Sequence, residues 1–249
     1  VLALRQPGSA LKPFTYAASF ERGYSPATML PDVEMAFTSR EGELYVPINY
    51  DNKYHGPVSL RTALACSYNV VAVRLLDRIG IQALPDMVQR FGIQSLGDIG
   101  RHGLSLTLGG CEVRLLDLTA AYAGLAAGGK RVTPYMIERV TDGQGQLLYQ
   151  HQPAEQPQVL DERIAYLISD ILSDDQARAP AFGEGSALHL PFAAAAKTGT
   201  TTDWRDNWTV GYTPQLVVGV WQGNKDGDDY MINTPGSRGA SYIWHAVME

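Results

Sequence analysis

The chain reads as an α/β (α+β) protein in which an antiparallel β-sheet is flanked by helices on both faces and joined to a helical subdomain. Three observations predict this. Helical periodicity fills most of the first part of the sequence, strand-like segments cluster after Pro191, and helical patterns stand before, between and after those strands, so that both sheet faces can be covered.

The elements follow in order. LKPFTYAASFERG runs from an early proline, tolerated in a first helical turn, to Gly23 as a stop. Residues 25–57 carry Pro26, Pro31, Pro47 and Pro57 among many polar residues and predict a long irregular excursion. SLRTALACSYNVVAVRLLDRIG restores helical periodicity, broken at Ser67-Tyr68-Asn69, and IQALPDMVQRFGI and VRLLDLTAAYAGLAAGG add two more helices ended by glycine. YMIERVTDGQGQLLYQ predicts a hairpin around Asp142-Gly143-Gln144-Gly145, and DERIAYLISDILSD a helix. After AAAAKTGTTT, the stretch DNWTVGYTPQLVVGVWQGN predicts two strands turning at Tyr212-Thr213-Pro214-Gln215, and SYIWHAVME closes with helical spacing.

Composition narrows the function classes. With 249 residues, 45% hydrophobic and 18% charged, the chain can bury a substantial core as one large domain or two interleaved subdomains. A net charge of −6 without any Lys/Arg run argues against a nucleic-acid partner. Cys66 and Cys111 are too few for a disulfide framework, and no Cys/His spacing suggests zinc; buried small hydrophobes are the expectation. No apolar run reaches the length of a membrane span and no signal peptide precedes the chain, which reads as a domain excised from a longer parent.

The chemistry lies in three motifs. In RQPGSALKPFTY, Ser9 and Lys12 are one turn apart on a helix face. A serine hydroxyl becomes a nucleophile when a base takes its proton, and a lysine serves as that base if burial or a neighbouring cation destabilises its ammonium; Lys197 is the candidate cation. Alone, Ser-x-x-Lys is equally an ordinary solvated lysine near a serine. Ser9 also lies where a helix begins, so its own N–H points outward as an oxyanion donor. Lys197-Thr198-Gly199-Thr200 offers a strand on which Gly199 allows close approach, the Thr200 N–H is the second donor, and Lys197, Thr198 and Thr200 hold a carboxylate. Ser67 and Asn69 by themselves could be a turn or cap. The order and combination of all three motifs single them out.

These motifs are shared by penicillin-binding proteins and class A β-lactamases. The chain resembles the transpeptidase domain of a class A (bifunctional) penicillin-binding protein, through RQPGSALKPFTY, GPVSLRTALACSYNVVAVRL, LSLTLGGCEVRLLDLTAAYAGLAAGGKRVTPYMIERVTDGQG and KTGTTTDWRDNWTVGYTPQLVVGVWQGN. LSLTLGG and ILSDDQARAPAFG lean toward its 1C subgroup. The resemblance implies a penicillin-binding transpeptidase/serine β-lactamase-like fold. Residues 1–249 would be one transpeptidase domain, with the parent's glycosyltransferase domain and membrane anchor outside this chain. It implies Ser9 as acylated nucleophile, Lys12 as its base, Ser67 as proton relay, Asn69 as a holder of the substrate's peptide carbonyl, and Lys197, Thr198, Gly199 and Thr200 as the carboxylate site, with no cofactor and no metal. The implied partners are peptidoglycan stem peptides, as D-alanyl-D-alanine donor and amine acceptor, and β-lactams. The implied location is extracytoplasmic. Family members place strands and a loop before the nucleophile helix, whereas VLAL runs straight into RQPGS, so the outer sheet is expected to be incomplete.

Three classes of activity are weighed: a transpeptidase, whose acyl-enzyme meets an amine; a D,D-carboxypeptidase or β-lactamase, whose acyl-enzyme meets water; and a non-catalytic β-lactam or muropeptide receptor. No Glu-x-x-Leu-Asn sequence, the deacylating motif of class A β-lactamases, is present, which argues against fast penicillin turnover. GLAAGGK at Gly124–Lys130 imitates a phosphate-binding loop, but Arg131 stands where Ser or Thr is required and a helical stretch precedes it; a helix end and turn are expected. The five scattered histidines predict surface or capping roles, and Trp204, Trp208 and Trp221 predict core or cleft wall. Asp203 and Asp206 could shape the cleft without a catalytic part.

Overall fold

The computed structural model describes residues 1–38, 44–94, 96, 102–153, 155–201, 204–225, 231 and 237–249. Strand β1 (Leu4–Arg5) leads into a 3-10 turn, Gly8–Leu11, which continues without a break into helix α1 (Lys12–Phe20). All nine residues of α1 are buried, its polar stripe of Lys12, Thr15 and Ser19 included, and it forms the axis of the core.

Four short strands follow: β2 (Met29–Asp32), β3 (Phe37–Thr38), β4 (Leu44–Tyr45) and β5 (Gly56–Ser59). They correct the expectation of an irregular 25–57 excursion. β2 pairs antiparallel with β5, setting Pro31 opposite Pro57, and β3 pairs with β4. Strands of two to four residues are too short to display alternation, and prolines facing each other in the register obscure the signal further.

Helices α2 (Leu60–Ala65) and α3 (Asn69–Ile79) are separated at Ser67, and α4 (Ala83–Arg90) follows. A second 3-10 segment, Gly103–Leu108, ends on left-handed Gly109 and precedes β6 (Val113–Arg114), which pairs with β1. Helix α5 (Leu115–Ala126) ends near Gly128 and Gly129, both at positive φ, so the phosphate-loop imitation is a helix end and turn. Strands β7 (Arg139–Thr141) and β8 (Leu147–Gln150) form the expected hairpin, with Asp142 Oδ1 accepting from the N–H groups of Gln144 and Gln146.

Helix α6 (Glu162–Leu172) is followed by α7 (Asp175–Phe182), which the sequence reading did not assign; Pro180 inside it obscures the helical pattern. Strands β9 (Ala195–Thr200), β10 (Asp206–Tyr212) and β11 (Val217–Gly223) form an antiparallel sheet in the order β11-β10-β9, and helix α8 (Ala240–Met248) closes the chain. The pleat sends alternate residues to opposite faces. Ala195, Trp208, Val210 and Tyr212 enter the main core with α1, α5 and α6, whereas Ala196, Val218 and Val220 pack with Trp244 and Met248 of α8. The sheet is thus covered on both faces, and β9 is its edge strand among the described residues, beside the 3-10 turn that carries Ser9. Cys66 and Cys111 are both buried and unbridged.

Candidate active site

Ser9 sits on the 3-10 turn, half-buried, with Lys12 at the first position of α1. Three glycines let three backbones meet there. A Cβ on Gly199 would lie 2.0 Å from the Pro7 carbonyl oxygen, one on Gly8 2.6 Å from the Thr200 carbonyl oxygen, and one on Gly109 2.2 Å from the Gly8 nitrogen. Side chains fix the turn from behind: the Tyr122 hydroxyl donates to the Ala10 carbonyl at 2.7 Å, and the Trp208 indole N–H donates to the Gln6 carbonyl at 2.7 Å. Ser9 is therefore held against the end of β9 by contacts that admit no extra carbon.

Opposite Ser9, the break between α2 and α3 places Ser67 at φ 61°, a left-handed conformation that costs a non-glycine residue energy and marks functional positions. This conformation turns Ser67 and Asn69 toward Lys12. Lys12 Nζ donates to the Ser67 carbonyl at 2.6 Å and to Asn69 Oδ1 at 2.6 Å, and it lies 3.2 Å from Ser67 Oγ. Lys197 Nζ donates to the same Ser67 Oγ at 2.8 Å and to the Thr198 carbonyl at 3.0 Å. The two amines therefore meet at one hydroxyl. The Lys12 amine is engaged by Ser67 and Asn69, and among the described residues the Ser9 hydroxyl has no hydrogen-bond partner.

Ser9, Ser67, Asn69, Thr198 and Thr200 all line one cleft of about 710 Å³, with Trp204 on its wall. Lys12 and Lys197 lie beneath it, fully or nearly fully buried. Burial is the main cause that holds Lys12 well below the ordinary lysine range; the Lys197 charge adds to it, and Asp32 acts in the opposite sense. Burial, with the Arg178 guanidinium, lowers Lys197 to about 7. The Lys12 ammonium is thus destabilised and gives up its proton more readily than an ordinary lysine, and Lys197, at about 7, stands near half-charge at physiological pH.

Several contributors were not legible in the sequence. Arg178, on the unassigned α7, acts on Lys197. Asp32, Asn49 and His55 surround the start of α3; His55 is exposed, as expected of it, while its Nδ1 lies 2.6 Å from Asp32 Oδ2 and its ring stacks on Tyr68 at 4.0 Å. Trp208 is core and Trp204 cleft wall, as expected. Asp206 accepts from the Trp221 indole N–H at 2.8 Å behind the cleft, and Asp203 lies outside the described residues. Among the described residues, no group of three or more His, Cys, Asp and Glu side chains is arranged to hold a metal ion.

A serine on a helix-entry turn, a buried amine one turn on, and an edge strand carrying a second lysine, all on a sheet covered on both faces, define a serine acyl-transfer scaffold of the β-lactamase-like class. The family follows from comparison with known proteins. A model of the penicillin-binding protein transpeptidase domain matches residues 3–232, and the chain belongs to that family. Similar proteins include penicillin-binding protein 1A of Neisseria lactamica, 37% identical over 227 residues, 89% of this chain and 28% of that protein. The same protein of Aquifex aeolicus (strain VF5) is 37% identical over 253 residues, covering 100% of this chain and 33% of its own length. The chain therefore spans about a third or less of these relatives. Their names are 1A, and the expectation of a 1C subgroup finds no support in them.

Among solved structures, penicillin-binding protein 1A from Haemophilus influenzae superposes with a TM-score of 0.86 at 25% identity, over 98% of this chain and 42% of that one. PonA1 from Mycobacterium tuberculosis in complex with penicillin V superposes at 0.84 with 27% identity, over 99% of this chain and 69% of that one.

Proposed function

We propose that residues 1–249 act as the D,D-transpeptidase domain of a longer cell-wall enzyme, cross-linking peptidoglycan stem peptides through a Ser9 acyl-enzyme. The observation that carries this reading is the fully buried Lys12 amine, its charge disfavoured by burial, sharing Ser67 with Lys197 beneath a cleft that Ser9 lines. In the proposed reaction, Lys12 accepts the Ser9 proton as Oγ attacks the carbonyl carbon of a D-alanyl-D-alanine bond. The N–H groups of Ser9 and Thr200 receive the oxyanion, Asn69 orients the peptide carbonyl, and Lys197, Thr198 and Thr200 hold the terminal carboxylate beside Gly199. Ser67 passes a proton to the departing D-alanine nitrogen, and an amine on a neighbouring stem then takes the acyl group by the reverse path.

An amine acceptor is favoured over water by the cleft itself. Among the described residues its lining contains no Asp or Glu to activate water, which supports the amine. β-Lactams, which present the same carboxylate and carbonyl, would be trapped on Ser9, as suits a relative solved with penicillin V. An extracytoplasmic site of action goes with this substrate; among the described residues no helix is long and apolar enough to cross a membrane.

Fluorescent penicillin labelling with intact-mass analysis tests the reading. A stable one-to-one adduct on the wild type, absent from Ser9→Ala, supports it. Hydrolysis within seconds would favour a β-lactamase, labelling of Ser9→Ala would move the nucleophile elsewhere, and a labelled protein that turns over no D-alanyl-D-alanine peptide would be a receptor. Release of D-alanine without amine capture would make it a carboxypeptidase.

A further inference from the structure

Asp32 is the last residue of β2, and its carboxylate is completely removed from solvent. A buried carboxylate demands partners. It has them: Asn49 Nδ2 donates to Oδ1 at 3.0 Å and to Oδ2 at 2.8 Å, the His55 backbone N–H donates to Oδ2 at 3.0 Å, and His55 Nδ1 lies 2.6 Å from Oδ2. Asn49 Nδ2 also donates to the Lys53 carbonyl at 2.8 Å. With every amide hydrogen of Asn49 facing an acceptor, its carbonyl oxygen can point only the other way, onto the N–H groups of Asn69 at 2.7 Å and Val70 at 3.3 Å.

Those two N–H groups open helix α3. Its N-cap residue, Tyr68, supplies no side-chain cap, so Asn49 caps the helix from another segment. The neighbouring Ile48 carbonyl accepts from Asn69 Nδ2 at 2.8 Å, which leaves Asn69 Oδ1 facing Lys12 Nζ at 2.6 Å. Backbone and side chain of Asn69 are thus both set by residues 48 and 49, and those by Asp32.

We propose that Asp32 and Asn49 are positioning residues for acyl transfer: the carboxylate fixes the orientation of the Asn49 amide, and the amide fixes Asn69 and, through it, the place of the Lys12 amine. The proposal rests on Ser9 and Lys12 acting as the functional reading assigns them. It separates two steps of β-lactam capture. The carboxylate site on Lys197, Thr198 and Thr200 belongs to β9, apart from Asp32 and Asn49, so the carboxylate's share of binding before acylation stays; only the Asn69 contact to the peptide carbonyl moves, and the chemical step slows far more than binding weakens.

Stopped-flow acylation with a chromogenic cephalosporin separates the two constants. Asn49→Ala and Asp32→Asn are expected to lower the acylation rate constant by about 10- to 100-fold, the scale of a small misplacement of catalytic groups, with the pre-acylation dissociation constant within about threefold. Asn49→Asp alone sets two carboxylates face to face and is expected to be the slowest. Combining it with Asp32→Asn exchanges amide and acid across the pair, and this double variant is expected to acylate at least about fivefold faster than Asn49→Asp. Asp51→Asn, whose side chain meets the outer face of His55 and keeps an oxygen for the Lys53 N–H, is the control and keeps the wild-type rate. Near-ultraviolet circular dichroism selects variants that fold; should Asp32→Asn not fold, Asn49→Ala on its surface segment decides alone. A folded Asn49→Ala with the wild-type rate constant, a loss confined to the dissociation constant, or an exchange that restores nothing would overturn the proposal. A wild type that never acylates at Ser9 would instead remove the functional reading beneath it.

Discussion

The two walls of the cleft are built by different physics. On the Ser9 side, backbones press together at Gly8, Gly109 and Gly199, with Tyr122 and Trp208 bracing them, and little charge is involved. On the Ser67 and Asn69 side, the chain is held by a polar web of two lysines, two asparagines and a buried carboxylate. The first wall sets where the nucleophile is, and steric intrusion would break it. The second sets which groups are protonated and where they point, so electrostatic changes would break that one.

The contrast can be broken at each wall. The largest effect is expected on the polar side: Lys12→Arg keeps a side chain of similar length but cannot lose its proton, so acylation should fall by about a thousandfold in stopped-flow measurements. Next, on the packed side, Gly199→Ala places a carbon 2.0 Å from the Pro7 carbonyl oxygen, forcing β9 and the nucleophile turn apart. An acylation loss of about 100-fold is expected, with the two lysines unchanged in number and charge. A wild-type rate in this variant would show that the steric wall is slack.

A third prediction concerns pH. Lys197 is lowered to about 7, and in the proposed role it would grip a carboxylate only as an ammonium. Pre-acylation affinity for a β-lactam should therefore be level below that pH and weaken as pH rises above it, approaching about tenfold per unit until the bound-state value is reached. Binding measured from pH 6 to 9 checks this, and Lys197→Arg should flatten the profile. The smallest effect is expected from Tyr122→Phe, which removes one brace behind the turn. A stability loss of about 1 kcal/mol, or about 2–4 °C in Tm, should accompany a nearly unchanged acylation rate.

What the sequence disclosed follows the same division. Ser9, Lys12 and Lys197-Thr198-Gly199-Thr200 were legible because a helical turn and a strand each force a short, fixed spacing on groups that work together. The sheet with helices on both faces was legible from the change of period after Pro191. Asp32 and Asn49 were not, since they come from a four-residue strand and a proline-marked loop that meet only through folding. Arg178 escaped for a related reason: its helix contains Pro180, and nothing near it in sequence points to a lysine on β9.

The meeting of both lysines at Ser67 Oγ has one more consequence. An oxygen with both lone pairs occupied by ammonium donors can aim its single hydrogen only outward, into the space a leaving group would fill. Once one of those amines is bare, the hydrogen can swing inward to it instead. If Ser67 carries the proton as proposed, its hydroxyl would be a two-position rotor whose setting follows how many protons the pair beneath it holds.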